Sequence, residues 1–194
     1  MKIQNFLQIQ DAMKTCYQTE GQTIFEHGVA VFRQYQHLRL SRLRNYKLHE
    51  HPEWLFHPKL ARGFQPPSVM RPYLVYHDLG KPYCEVIDEE GKRHFPNHAE
   101  VSYHLWTAFK PPTTENKLIG ELIRNDMFFH TTKPSDIKAI IEMAHRPYAA
   151  TLLIAAYCEI QANAEMFGGK ESTSYKIKTK RLNKLAHKLI GELP

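Results

Sequence analysis

Cysteine is scarce in this chain. Its three thiols, Cys16, Cys84 and Cys158, are too few for a disulfide framework and too scattered for a CxxC zinc site, so they read as buried thiols. No apolar run approaches the ~18 residues of a membrane span, and the start MKIQNFLQIQDAMK lacks the uninterrupted apolar stretch of a signal peptide. A cytoplasmic protein without membrane contact is expected. Internal repeats and low-complexity tracts are also missing, which excludes solenoids and biased linkers. Acid is in the minority: 20 Asp and Glu against 26 Lys and Arg leave a formal charge of +6, a balance suited to anionic partners. Hydrophobic residues at 42% and charged ones at 24% are globular values, and 194 residues suit one domain with its own core. What the chain holds in quantity is histidine, twelve in all. Histidine is the commonest metal ligand and the usual acid or base near neutral pH, so this share favours site chemistry over a purely structural module.

Helical spacing dominates. Ile24, His27, Val31, Gln34 and Leu38 fall at steps of three and four with Ala30 beside them, which predicts a helix with one mostly apolar stripe and His27 inside it. Paired prolines in GFQPPS (63–68) and KPPTTEN (110–116) stop helices, while DEEG (88–91) reads as the turn of a small hairpin spanning Cys84 to Phe95. Between them SVMRPYLVYHDLGK, HAEVSYHLWTAF, ENKLIGELIRNDMFFH, PSDIKAIIEMAH and PYAATLLIAAYCEIQANAEMF all carry apolar residues at helical steps. A basic helix from Tyr175 to Leu193 closes the chain, and an all-α fold is expected.

Several polar groups fall on apolar faces. His77 stacks above Tyr73 and Leu74, Asp78 above Leu74 and Val75, and Asp126 follows Ile119, Leu122 and Ile123 at steps of seven, four and three. A lone ionised carboxylate there costs several kcal/mol unless it is paired or bound to metal. His27, His77, Asp78 and Asp126 converging from three helices would supply a mixed nitrogen and oxygen set. Such a set suits Mn²⁺, Fe²⁺, Co²⁺, Ni²⁺ or Zn²⁺, with water completing the shell.

The ordered series EHGVAVFRQYQHL, YHDLGKP, HFPNHAEVS and LIRND resembles the HD phosphohydrolase superfamily. HDLGKP followed by a short loop and F-x-x-H is similar to the HD domains of bacterial CCA-adding tRNA nucleotidyltransferases and to those joined to polynucleotide kinases in RNA end repair. The likeness spans roughly residues 20 to 165. It implies a single helical HD bundle, with a short loop or hairpin after the His-Asp helix, that binds one or two divalent transition metals and hydrolyses phosphate esters. It also implies that the closing helix could lead into a fused or associated RNA-processing module.

Carried over by position, the resemblance makes His27, His77, Asp78 and Asp126 ligands of the first metal, with Asp78 able to bridge to a second. His98 then binds that second ion or meets substrate, and Lys81 neutralises the scissile phosphate. Asp78, Lys81 and His98 are thus the catalytic candidates. His130, four residues after Asp126 on the same helix face, and Arg146, opening the next loop, are weaker candidates for substrate phosphate. Where related domains have an aspartate in the late apolar helix, this chain reads YCEIQANAEMF: Glu159 takes its place, or the position is lost. The HD-x-x-E-D pattern of nucleotide and alarmone hydrolases is absent, since Lys81 follows Gly80. The expected substrate is therefore RNA with a 2′,3′-cyclic phosphate or a 2′- or 3′-phosphate end. Alternatives are a nucleotide phosphatase, a cyclic nucleotide phosphodiesterase, or a non-catalytic metal-binding regulatory module. His104 is expected in the core or at its rim, and His37, His49, His51, His57, His145 and His187 at the surface. The run YKIKTKRLNKLAHK reads first as a solvated helix face and second as a nucleic-acid groove or docking helix.

Overall fold

The computed structural model of the protein describes residues 5–44 and 50–194; His49 lies outside them. Among the described residues the fold is all-α, with two short antiparallel hairpins and no larger sheet. The chain forms two compact units, Met1–Ala30 with Pro67–Asn125, and Val31–Pro66 with Asp126–Pro194.

In the first unit, α1 (Phe6–Thr15) starts at Asn5, whose side chain accepts from the Gln8 amide at 3.1 Å, and buries Ile9 and Met13. A tight hairpin of β1 (Tyr17–Thr19) and β2 (Gln22–Thr23) then leads into α2 (Ile24–Arg44). The start of α2 is fixed by a reciprocal cap. The Thr23 amide and hydroxyl both donate to the Glu26 carboxylate at 2.9 Å, and the Glu26 amide donates back to the Thr23 hydroxyl at 3.2 Å. His27 follows on the next residue and is fully buried. Helix α3 (Pro67–Tyr76) buries Val69, Met70, Tyr73, Leu74 and Val75 and approaches α2 at Gly28, where a Cβ would meet the Val75 carbonyl oxygen at 2.3 Å. A hairpin of β3 (Val86–Ile87) and β4 (Arg93–His94) precedes α4 (His98–Phe109) and α5 (Thr114–Arg124), which pack on each other, α5 also packing on α3. Trp106 is 2% exposed, and its indole N–H donates to the Asn116 carbonyl at 3.0 Å, so its one polar atom is satisfied inside this layer.

The second unit takes α2 from Val31 onward and adds α6 (Phe128–Thr131), α7 (Ile137–Ala144), α8 (Ala149–Ala162) and α9 (Thr173–Glu192). Helix α8 is apolar on every side and buries eleven of its fourteen residues, as expected of a helix at the centre of a core. It packs against α6, α7, α9 and the 3₁₀ turn Pro58–Gly63, which it meets closely enough that a Cβ on Gly63 would lie 2.7 Å from Ala150. Helix α9 lays Leu182, Leu185, Ala186, Leu189 and Ile190 into this core. The Trp54 indole donates to Asn183 at 2.9 Å, and Arg42 donates to the Leu55 carbonyl at 2.7 Å, fastening the 3₁₀ segments to helices.

Some boundaries differ from those that spacing predicts. Helix α3 ends at Tyr76, so His77 and Asp78 sit in a turn rather than on a helix face; Pro82 cannot extend the helix and the chain tightens into a 3₁₀ turn at Lys81–Tyr83. Helix α5 ends at Arg124, with Asn125 as its cap: the Asn125 backbone amide and side-chain amide both donate to the Glu121 carbonyl, at 3.1 and 2.9 Å. Asp126 therefore lies in a turn, and His130 on a separate short helix, not on one shared face. Helix α1 and the first hairpin carry patterns too short to read from spacing. Of the three thiols only Cys158 is buried, Cys16 and Cys84 being partly exposed. The close approach at Gly28 has a measurable consequence. Gly28→Ala is expected to lower stability by about 1–3 kcal/mol through overpacking. Gly191→Ala, where the added methyl meets nothing, should raise it by about 0.5–1 kcal/mol through helix propensity, both read from denaturant midpoints.

Candidate metal centre

Four polar side chains surround the Asp78 carboxylate within the first unit. The capped start of α2 supplies His27, the turn after α3 supplies His77 and Asp78 itself, the following 3₁₀ turn supplies Lys81, and the first residue of α4 is His98. To Asp78 Oδ2 the distances are 2.6 Å from Lys81 Nζ, 3.2 Å from His77 Nε2 and 3.9 Å from His27 Nε2; His98 Nε2 lies 3.4 Å from Oδ1. His27, His77 and Asp78 are all at most 2% exposed. One nitrogen of His27 and one of His77 lie within 4.8 Å of each other.

The placement of this group follows from local backbone chemistry. Gly80 is where α4 comes closest to the His77–Gly80 turn: a Cβ there would meet the Ser102 amide nitrogen at 2.5 Å and the His98 carbonyl at 2.7 Å. The Gly80 amide donates to the buried Ser102 hydroxyl at 2.8 Å, locking the turn to α4. Asn97, in the left-handed region at φ 55°, turns the chain so that α4 begins at His98. Lys81 is held by a second acceptor, the Gln18 side-chain oxygen at 2.9 Å, on the β1–β2 hairpin.

Tautomers follow from the backbone partners. His77 Nδ1 faces the Leu74 carbonyl at 2.8 Å and His98 Nδ1 faces the Phe95 carbonyl at 2.9 Å. A carbonyl can only accept, so each Nδ1 carries the proton. In the neutral ring each Nε2 therefore presents a lone pair toward Asp78. Lone pairs aimed at a carboxylate need a proton or a cation between them, and a histidine that donates its other N–H to a carbonyl is the usual form of a metal-bound imidazole. Burial raises the Asp78 pKa, but the His77 and Lys81 charges, the His77 hydrogen bond and the His98 charge outweigh it and hold the carboxyl well below its ordinary range. His27 and His77 are thus buried donors that could help hold a metal ion, with the ionised Asp78 carboxylate beside them.

Asp126, His130, Arg146 and Glu159 belong to the second unit. Asp126 is 7% exposed in the turn before α6. His130 Nε2 lies 2.9 Å from the Glu159 carboxylate, which α8 presents among apolar neighbours, and Arg181 donates to the His130 carbonyl at 2.7 Å. Arg146 is exposed and lines a cavity with Lys59, Arg62 and His145. His104, expected at the core or its rim, is instead exposed and pairs with Glu100 at 3.2 Å, since one turn of α4 separates them on its solvent side. His51, expected at the surface, is half-buried, with Nδ1 2.9 Å from the Tyr157 hydroxyl. Ser102, Gln18 and Gly80 are the positioning residues that pattern reading passed over. Only the glycine inside HDLGK offered a signal, because long-range hydrogen bonds leave no spacing to detect. No protein-family model, curated protein or solved structure matches this chain.

Two outcomes follow from this geometry. Ser102→Ala removes the acceptor of a buried amide and is expected to cost about 1–3 kcal/mol, measurable by thermal unfolding. The low Asp78 pKa contributes stability that is present above the unfolded carboxyl value of about 4 and is lost as pH falls through the folded value. Lys81→Ala raises that folded value, so the acid-unfolding midpoint followed by circular dichroism should move to higher pH.

Proposed function

We propose that this chain is a divalent-metal-dependent phosphohydrolase acting on RNA that carries a 2′,3′-cyclic phosphate or a 2′- or 3′-phosphate end. The observation that carries the reading is the pair of imidazole Nε2 atoms turned toward one buried carboxylate, with a lysine ammonium 2.6 Å from that carboxylate. His27, His77 and Asp78 would hold the ion, and His98 a second one where two are bound. When bound, the ion supplies Lewis acidity that lowers the pKa of water and polarises phosphoryl oxygens.

The chain's own groups do the rest. Lys81 is only 12% exposed at its side chain, so its charge is little screened and can neutralise a phosphate oxygen as negative charge builds in the transition state. His98 is 15% exposed, reachable by substrate yet fixed in orientation by Phe95. Where a single ion is bound, His98 Nε2 is free of metal and would pass a proton to the leaving ribose oxygen. Water adds its oxygen to phosphorus and releases one proton to solvent, the bond from phosphorus to one ribose oxygen breaks, that oxygen takes the His98 proton, and His98 regains a proton from solvent. A cyclic end becomes a monoester, and a second hydrolysis releases inorganic phosphate. The formal charge of +6 favours a polyanionic substrate over a free mononucleotide.

The test pairs metal analysis of the purified protein with turnover of end-labelled RNA bearing cyclic or monoester ends, against free nucleotides and cyclic nucleotides. Turnover restored by Mn²⁺, Fe²⁺, Co²⁺, Ni²⁺ or Zn²⁺ after chelation is expected, with Asp78→Ala losing both metal and activity. Lys81→Ala is expected to lose about 10²–10³-fold in kcat, and His98→Ala about 10²–10⁴-fold. Turnover confined to free or cyclic nucleotides would replace the RNA reading with a nucleotide hydrolase. Bound metal without turnover of any ester would leave a non-catalytic metal-binding module.

A further inference from the structure

The second unit carries a row of cations that the proposed chemistry does not use. Helix α9 holds Lys176, Lys178, Lys180, Arg181, Lys184 and Lys188, and its one acid is Glu192 at the far end. Three of these cations have structural work, Lys178 lying 4.8 Å over the Phe167 ring. Arg181 donates to the His130 and Thr132 carbonyls, and Lys176 pairs with Glu171 at 2.8 Å. Lys180, Lys184 and Lys188 are exposed and recur every fourth residue, so they form one stripe with steps of about 6 Å, and His187 is exposed beside Lys188.

This stripe leads to a second basic feature. Beyond Glu192 the chain reaches a cavity of about 690 Å³, which Leu193 and Pro194 line together with Lys59, Arg62, His145 and Arg146. Lys59 donates to the Leu193 carbonyl, tying the cavity to the end of α9. All four basic residues are exposed and no carboxylate side chain lines the cavity. Like charges gathered in one concave place repel one another and lower stability, and an anion seated among them relieves that cost.

We propose that this face of the second unit binds the sugar-phosphate backbone of single-stranded RNA, with the Lys180, Lys184 and Lys188 row carrying the strand and the cavity taking one of its phosphates. The choice of RNA among nucleic acids rests on the hydrolase reading above; the surface itself does not. A membrane is the weaker partner, because Leu182, Leu185, Leu189 and Ile190 of α9 are buried in the protein core and Ile177 is the one large apolar side chain the helix exposes, too little for an apolar face to insert. Backbone contacts of this kind bind without sequence preference and weaken with salt through counterion release.

The experiment measures fluorescence anisotropy of a labelled, unstructured RNA oligonucleotide against the full chain over a range of salt, in chelator so that no hydrolysis occurs. The wild type is expected to bind, with log affinity falling linearly as log salt rises. Lys180→Ala/Lys184→Ala/Lys188→Ala should weaken binding and reduce that slope by about 2, since each phosphate contact on a single strand contributes about 0.7. Arg62→Ala/Arg146→Ala, which removes two cations from the one phosphate in the cavity, should reduce it by about 0.7 on the same scale. Both variants change exposed side chains and are expected to keep the wild-type circular dichroism spectrum and melting temperature. An unchanged slope in both variants, no RNA binding at low salt, or equal binding to anionic phosphatidylserine vesicles would overturn the proposal. The metal-loaded wild type separates the two readings: RNA binding that the surface variants weaken, while the wild type hydrolyses no ester with any of the metals, upholds the surface and sinks the activity.

Discussion

A carboxylate that stays ionised while almost wholly removed from water is the constraint on which the first unit is built. Asp78 is 2% exposed, and burial alone would drive it to the neutral form. Its ionisation requires positive charge or proton donors on several sides, and these come from four places in the chain: the start of α2, the turn after α3, the 3₁₀ turn at Lys81 and the start of α4. Removing one partner of such a group leaves uncompensated buried charge, which costs several kcal/mol. The elements that carry those partners are consequently fixed with unusual care. A reciprocal cap between Thr23 and Glu26 fixes the first turn of α2, which carries His27, and the Gly80 amide is tied to Ser102.

Close backbone approach is the second feature of this unit. Gly28 lets α3 come against α2, and Gly80 lets α4 come against the His77–Gly80 turn. At either position a side chain would push apart two of the segments that deliver histidines to Asp78. The glycines act here through the space they leave rather than through special dihedral angles, since neither adopts a positive φ. Packing and site geometry are therefore one problem: the distances around the carboxylate are set by how closely three helices can meet.

The second unit is organised differently. Its centre is α8, which buries eleven of its fourteen residues, with the partly exposed pair of His130 and Glu159 and the buried Thr151 among the polar groups it carries or meets. Charge is moved outward onto α9, which buries a leucine stripe and exposes lysines on the other side. The same amphipathic helix thus contributes to the hydrophobic core and presents a cationic surface, with no acid among its first nineteen residues to neutralise it.

Residue order determined a good deal by itself. The all-α class, α2 with His27 on its inner face, the loops at the proline pairs and the hairpin after the His-Asp segment follow from period, proline and turn chemistry, all of which act locally. The burial of His27, His77, Asp78 and Asp126 was also legible, because a polar residue at a core step in an apolar stripe has nowhere else to go. Tertiary structure alone decided where α3 and α5 stop, which placed His77, Asp78 and Asp126 in turns, and it alone brought Ser102 to Gly80, Gln18 to Lys81 and Arg146 to Lys59 and Arg62. The reason is physical: spacing along a helix reports which residues share a face, whereas a hydrogen bond or a shared cavity between residues tens of positions apart depends on how closely separate elements can pack.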